Sequence, residues 1–334
     1  MDADAERKPV SEPHGLEKLT RGNTAMRSFV LRRLGQAVLT VFGVATLIFF
    51  LQHLTGDPTY LLVPETATRA DIDAMRHALG FDRPLVVQYA EFLGQLMHFD
   101  LGRSIVQNVP VTTIIASRLP YTLALAAGAL AVACGIGIPA GVGLAFFRRG
   151  WLSYMLSALV LVAQSMPTFW SGILMILVFA VGLGWLPPSS VGGLDHLIMP
   201  SVALGLLSMA TFARMTRTAL LDELSKDYVR TARARGVFGA RLLLRHLMRN
   251  ALIPVVTVAA MEISNLLAGA VIVETVFAWP GLGQLTVQSI FARDFLVVQG
   301  VVMLGALVTI GFNLAADLLY SAIDPRIRLG GARR

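Results

Sequence analysis

The sequence predicts an all-α, polytopic membrane protein, with six transmembrane helices and a small helical segment on the outer side. Three observations predict it. Of 334 residues, 55% are apolar and 15% charged, and the mean hydropathy is +0.66, whereas ordinary soluble domains carry about 25% charged residues. Thirty Gly and fifteen Pro are spread through apolar stretches, a usage common in helices packed in lipid. The Lys and Arg residues gather on one side of the resulting topology. The first observation alone excludes a soluble enzyme.

A helix needs about 20 apolar residues to cross ~30 Å of hydrocarbon. Six runs qualify: 29–51, 119–147, 152–183, 198–213, 251–273 and 295–320. The third is too long for one upright helix and too short for two with a turn. Arg148-Arg149 and the stretch 214–249 are both strongly basic, which marks both as cytoplasmic. An even number of spans therefore separates them, so 152–183 is one long span, bent near Pro167. With the N-terminus inside, 22 of the 28 Lys and Arg lie on the cytoplasmic side. The net charge of +7 thus reports membrane topology rather than nucleic-acid binding.

The chain divides accordingly. Residues 1–25 form a polar cytoplasmic tail without apolar periodicity, expected to be disordered. It lacks the build of a signal peptide, and Met26-Arg27 opens the first membrane-targeting stretch, which makes Met26 a candidate start. Residues 26–53 are the first transmembrane helix. Residues 54–118 are the extracytoplasmic helical segment, 119–320 a five-helix transmembrane domain, and 321–334 a cytoplasmic tail. In the outer segment Thr68 is placed to cap a helix with Asp71 and Asp73 in its first turn and Gly80 at its end. A second helix covers 85–97, and a third starts at Pro110. This segment is either a lid packed on the bundle or a docking face for an external partner.

The inner segment 218–254 carries the most information. Asp227 is placed to cap a helix over 228–235, with Gly236 closing it in the left-handed conformation, and a second helix starts near Gly239. Tyr228, Thr231, Ala232 and Arg235 fall at i, i+3, i+4 and i+7, one face of this hook. Small side chains there permit close approach by another protein, while Arg230, Arg233 and Arg235 also suit anionic lipid headgroups.

Ionisable and polar groups within spans are costly and mark functional candidates. Glu262, Asn265 and Gly269 share one face of the fifth span, and Gln164 and Thr168 are spaced to share a face of the third. This set is expected to line a pathway in which Glu262 meets a substrate amine or a cation, or else pairs with a buried Arg or a neighbouring subunit. Asn313 and Asp317 read as polar contacts between helices. No metal site is expected. Cys134 is the single cysteine, and none of the six His is spaced i, i+4 with another. No catalytic residues are assigned. Within the spans there is no His except His53 at an edge, so the nucleophile–base pair of an intramembrane hydrolase is missing. No paired repeats support a self-sufficient secondary carrier. The only lysines are Lys8, Lys18 and Lys226, none preceded by Gly, so there is no phosphate loop and any ATP must be used by another chain.

Several blocks resemble the permease subunits of ATP-binding-cassette (ABC) importers of type-1 fold, in their dipeptide, oligopeptide and nickel group. One runs from Tyr228 through Arg230, Thr231, Ala232 and Arg235 to Gly236, followed by His246, Asn250 and Pro254. It is similar to the cytoplasmic loop that docks the ATPase, with Arg230 standing where the general loop motif has Glu. A second is Glu274-Thr-Val-Phe-Ala-Trp279-Pro280-Gly281-Leu-Gly283, with Arg293-Asp294 after it. A third is Asn313, Asp317, Tyr320 and Asp324-Pro325-Arg326-Ile-Arg328. The outer block Asp100-Leu-Gly102-Arg-Ser104, Pro110-Val111, Arg118-Leu-Pro120 agrees with the same group. The resemblance implies the ABC type-1 permease fold and an inner-membrane subunit of a bacterium, both termini cytoplasmic. It implies as partners a second homologous permease, two ATP-binding subunits holding ATP and Mg, and an extracytoplasmic substrate-binding protein. This chain would bind no cofactor, and Glu274, Trp279, Pro280, Gly281, Gly283, Arg293 and Asp294 would serve an outer gate or docking surface.

Overall fold

The computed structural model describes residues 32–50, 68–78, 80–98, 100–147 and 150–323, with the backbone alone at 78 and 317–323. The tail 1–25, the candidate start Met26, the Arg148-Arg149 turn, the side chains of Asp317 and Tyr320, and the block from Asp324 to Arg328 lie outside the described residues.

The described chain is helical, and the only extended pairing within it is an isolated bridge between Arg103 and Pro110. Helix α1 is Arg32–Phe50. The outer segment contributes α2, Arg69–Ala78, and α3, Leu85–Met97. The Asp71 carboxylate receives the Thr68 amide at 2.9 Å and its hydroxyl at 2.7 Å, while the Asp71 amide reaches the Thr68 hydroxyl at 3.3 Å. These bonds to Thr68 hold the Asp71 carboxyl below its ordinary range. The predicted start of α2 and its stop at Gly80, at φ +76°, are both observed. Helix α4, Val111–Phe146, begins after Pro110 as expected.

The third apolar run departs from the prediction. It forms α5, Trp151–Ser165, and α6, Thr168–Gly182, which meet at 108°. Pro167 has no amide hydrogen to donate and pushes the residue before it out of the helical region, and Met166 is extended at φ −82°, ψ 123°. The break is where the sequence placed the bend but far sharper, so Gln164 and Thr168 share no helical face. Five helices are long and apolar enough to cross a membrane, and this bent pair completes six if it is one span.

Helix α7 is Leu194–Leu224, α8 Asp227–Ala234, α9 Gly239–Val276, α10 Leu282–Phe291 and α11 Phe295–Ile323. The most extensive pairing is α4 with α7. It rests on a seam of small residues, Ala129, Ala133, Gly137 and Gly141 against Ala203, Gly205 and Ala213, which lets the backbones approach without lateral help from water. A methyl group built on Gly137 would come within 2.6 Å of the Met209 carbonyl, and one on Gly205 within 2.6 Å of the Ala129 carbonyl. Helix α9 packs on this pair, and the core of Leu125, Met199, Leu204, Leu266, Val273 and Phe277 joins all three. Prolines 120, 139, 200 and 254 sit inside the long helices, as neighbouring helices permit in membranes.

Candidate functional site

Candidate residues gather at three levels of the bundle. At one end, α8 is a short hook between α7 and α9. Its C-terminus closes as predicted. Gly236 lies at φ +78°, its amide reaching the Arg233 carbonyl at 2.9 Å, and the Val237 amide reaches the Ala232 carbonyl at 3.0 Å. The N-terminus differs: Asp227 is the first helical residue, no side chain caps the helix, and its carboxylate lies 3.6 Å from Arg230 instead. The expected face is also divided. Val229 and Ala232 are buried against Ala219, Leu220, Leu242 and Leu247, whereas Arg230, Thr231, Arg233 and Arg235 point outward.

The hook is held by Glu223, at the end of α7 and 7% exposed. Its carboxylate accepts from the Lys226 ammonium and from the Tyr228 hydroxyl, and Asn250 of α9 donates to that hydroxyl at 3.4 Å. Burial and the Glu223 carboxylate push the Tyr228 hydroxyl above its ordinary range. One buried acid therefore ties α7 to α8 through charge-assisted bonds, roughly twice as strong as neutral ones, and the Tyr228 hydroxyl carries the link on to α9 through a neutral bond from Asn250. His246 falls in the π-helical stretch Leu243–Leu247 of α9, and Pro254 lies further along the same helix.

Within the bundle, Glu262 accepts from Ser208 of α7 at 2.7 Å and from Asn265 at 3.2 Å. Its partners are these two neutral groups, and it is 8% exposed. Asn265 is exposed and Gly269 half-buried. Gln164 is held by Arg214 of α7, and Thr168 opens α6. Ser264 donates to Asn313 at 3.4 Å, so Asn313 does join α9 to α11.

At the opposite end, the stretch after α9 folds around Glu274, whose side chain is fully buried. The carboxylate accepts from the Thr122 hydroxyl at 2.7 Å and from the Gln284 amide at 3.0 Å, and the Leu282 amide donates to the Thr122 oxygen at 2.8 Å. The acid thereby caps α10, where free amides and the helix dipole favour a negative group. The Trp279 amide bonds the Glu274 carbonyl at 2.8 Å, and its indole donates to the Tyr121 carbonyl at 2.9 Å. The Gly281 amide reaches back to the Trp279 carbonyl at 2.8 Å around Pro280. Gly281 lies against the Glu274 carboxylate and Gly283 against the Val271 backbone, too closely for any side chain.

Further on, Asp294 sits 2% exposed before α11. It accepts from the Ser104 hydroxyl and from the amides of Ile105 at 3.2 Å and Val106 at 3.4 Å. The outer block Asp100–Ser104 and the Arg293-Asp294 pair, far apart in sequence, are thus one node. Arg293 itself is exposed, at φ +56°. Of the proposed outer residues, Glu274, Trp279, Gly281, Gly283 and Asp294 are buried; they build the turns rather than present a surface.

Residues 137–329 match the family described as the binding-protein-dependent transport system inner membrane component, and residues 26–126 match the N-terminal part of such membrane components. The chain belongs to this family of ABC importer permeases. The permease is 41% identical over 304 residues to the glutathione transport system permease protein GsiC of Escherichia coli O6:H1 (strain CFT073). It is 39% identical over 335 residues to the di/tripeptide transport system permease protein DppB of Pseudomonas aeruginosa (strain UCBPP-PA14). Each comparison covers 91% of this chain and 99% of the relative. Among solved structures, an inward-facing MetNI methionine ABC transporter matches at a TM-score of 0.55 and 24% identity, over 64% of this chain and 97% of that one. This likeness bears on the fold, which is that of a type-1 permease. The protein is therefore a multi-pass membrane subunit that works with ATPase and substrate-binding partners.

Sequence reasoning missed the permease's anchoring groups: Glu223 and Lys226 for the hook, Thr122 for Glu274, Ser208 for Glu262. Each is a common residue type whose partner lies on another helix or beyond a turn. The signal available was a carboxylate at the end of an apolar run, as with Glu223. Replacing Asp294 with Ala is expected to speed hydrogen exchange at the Ile105 and Val106 amides roughly ten- to a hundredfold, since bonds to a charged acceptor are worth about 1.5–3 kcal/mol. Mass-spectrometric exchange on the intact permease measures it, with peptides from α7 as the unchanged control.

Proposed function

We propose that this permease imports short peptides or peptide-like solutes such as glutathione across a bacterial inner membrane, both its termini lying in the cytoplasm. The observation that carries the substrate class is likeness along 91% of the chain to relatives named for glutathione and for di- and tripeptides. Nickel chelates remain a cargo of the wider group that the sequence resembles. The permease forms half of the pathway, a second homologous permease the other half. Two ATP-binding subunits hold ATP and Mg, and an extracytoplasmic binding protein delivers the cargo.

In this reading the outward face of α8, with Arg230, Thr231, Arg233 and Arg235, sits in a groove of an ATPase subunit. The half-buried Tyr228 and the buried Ala232 fasten the hook to its own bundle. Closure of the nucleotide dimer pushes α8, and Glu223 passes the displacement to α7 and α9 as a rigid unit, so the bundle exchanges one access for the other. The α9 face with Asn265 and Gly269 lines the pathway, Glu262 behind it fixing the Asn265 amide. Gln164 and Thr168 flank the α5–α6 break beside the same pathway. Arg293 is exposed at the outer end, where the binding protein docks.

The test is ATP-dependent uptake by the permease assembled with its partner subunits and binding protein in proteoliposomes. Labelled dipeptides and glutathione are expected to accumulate, and free amino acids of equal charge are expected to be excluded. Uptake of neither peptide class, with ATP hydrolysis intact, would replace the substrate reading while leaving the permease assignment standing.

A further inference from the structure

Helix α3 in the outer segment divides into three sectors. One packs on the bundle. The Tyr89 hydroxyl is 2.6 Å from that of Thr46, the Tyr89 ring meets Phe49 edge-on at 5.1 Å, and Phe92 stacks on Phe49 at 5.7 Å. Leu93 and Leu96 close over Ala45, Ile48 and Met303. A second sector is polar: Gln88, Glu91 and Gln95 at i, i+3 and i+7. Arg83 pairs with Glu91, and Gln88 donates to the carbonyls of Phe81 and Arg83. The third is apolar and uncovered: Val86, Ala90 and Met97, with Val86 79% and Met97 80% exposed. At 3.6 residues per turn the polar and uncovered apolar sectors point about 150° apart.

The depth of α3 decides what meets that apolar sector. Its contacts on α1 run from Phe42 to Phe50, and Phe42 lies about 13 Å in from Leu51, where the apolar run of the sequence ends, at 1.5 Å per residue. The cluster that Leu93 and Leu96 pack against also takes in Met303 of α11, about 12 Å in from Phe295, where the apolar span begins. Both spans therefore place α3 beside the hydrocarbon of one leaflet, not above the membrane surface. A helix held there, polar on one side and apolar on the opposite side, satisfies both media only if it lies in the interface with the apolar side in lipid.

We infer that α3 is an interfacial helix whose Val86, Ala90 and Met97 contact lipid acyl chains, and that it anchors the outer segment to the bilayer as well as to α1. The outer segment is then neither a free lid nor wholly a docking face. Its polar helix α2 and the Gln88–Glu91–Gln95 sector are what water and external proteins meet.

The test places single nitroxide labels at Val86→Cys, Met97→Cys and Glu91→Cys, with Cys134→Ala, in the complete transporter in lipid nanodiscs. Accessibility to dissolved oxygen, which concentrates in acyl chains, is compared with that to a water-soluble nickel chelate. Labels at 86 and 97 are expected to favour oxygen over the chelate several-fold more than the label at 91. Equal access to the chelate at 86, 97 and 91 would overturn the proposal, because the face would then be in water. Shielding of 86 and 97 from both reagents would overturn it in favour of a protein covering the face. Positions 86 and 97 are exposed, so cysteine disturbs no packing there, and a label at Ala90 between them repeats the measurement if either variant fails to assemble.

Discussion

Replacing Glu274 with Ala is expected to lower the stability of the permease by about 3 kcal/mol and to cut its abundance in the membrane several-fold. The substitution removes the acceptor for the Thr122 hydroxyl, which is left buried, and for the Gln284 amide, which is left half-buried. A donor stranded away from water costs about 1–3 kcal/mol, and the space left beside Gly281 and Gly283 adds a cavity term. The α10 N-terminus also loses the negative group that complements its dipole. Glu274→Gln should cost about half as much. Its carbonyl oxygen still accepts from Thr122, but its amide then faces the Gln284 N–H, donor against donor. Thermal unfolding of purified protein, followed by the size of the folded peak, measures both variants. An Ala variant as stable as the parent would show that Glu274 does not hold the α9–α10 turn, and would return it to the outer gate or docking surface that the resemblance implies.

Gly236→Leu is expected to reduce uptake by at least tenfold while membrane insertion and thermal stability stay close to the parent. Nothing lies within 4 Å of where its side chain would begin, so no contact inside the permease is disturbed. At φ +78° an L-residue is strained by about 1–2 kcal/mol, which loosens the closure of α8 and adds bulk to a surface the ATPase must meet. Gly236→Asn separates the two causes, because Asn tolerates the left-handed conformation yet still adds bulk. If both variants lose uptake, the close approach of the partner is what requires Gly; if only Leu does, the backbone is. Normal uptake by both would remove α8 from the coupling role, without touching the membership of the chain in its family.

Hydropathy located the long apolar helices well because it reports transfer free energies that depend on composition along a stretch and not on its neighbours. Local signals held where their partners are a few residues away. Thr68 and Asp71 are three residues apart, Gly236 closes on Ala232 and Arg233, and Pro167 acts on Met166. At Asp227 the local signal missed by one position, since the helix begins at Asp227 itself and its carboxylate lies 3.6 Å from Arg230. The angle at Pro167 was also beyond reach, since a proline breaks the ladder but the packing of α5 and α6 against α7 chooses the direction.

What was legible in the chain was therefore its class, its long apolar helices, the position of the short hook between α7 and α9 and the membership implied by its motifs. Each of these rests on residue type at short spacing. Only the tertiary structure decided which of those residues face inward. It joined Thr122 to Glu274, Ser104 to Asp294 and Ser208 to Glu262 across separations of 152, 190 and 54 residues, turned Ala232 into the core and Arg230 out of it, and drew α3 down beside the spans. A buried carboxylate must find donors wherever the packed helices bring them, and that search is settled by the shape of the whole bundle, which no window of sequence contains.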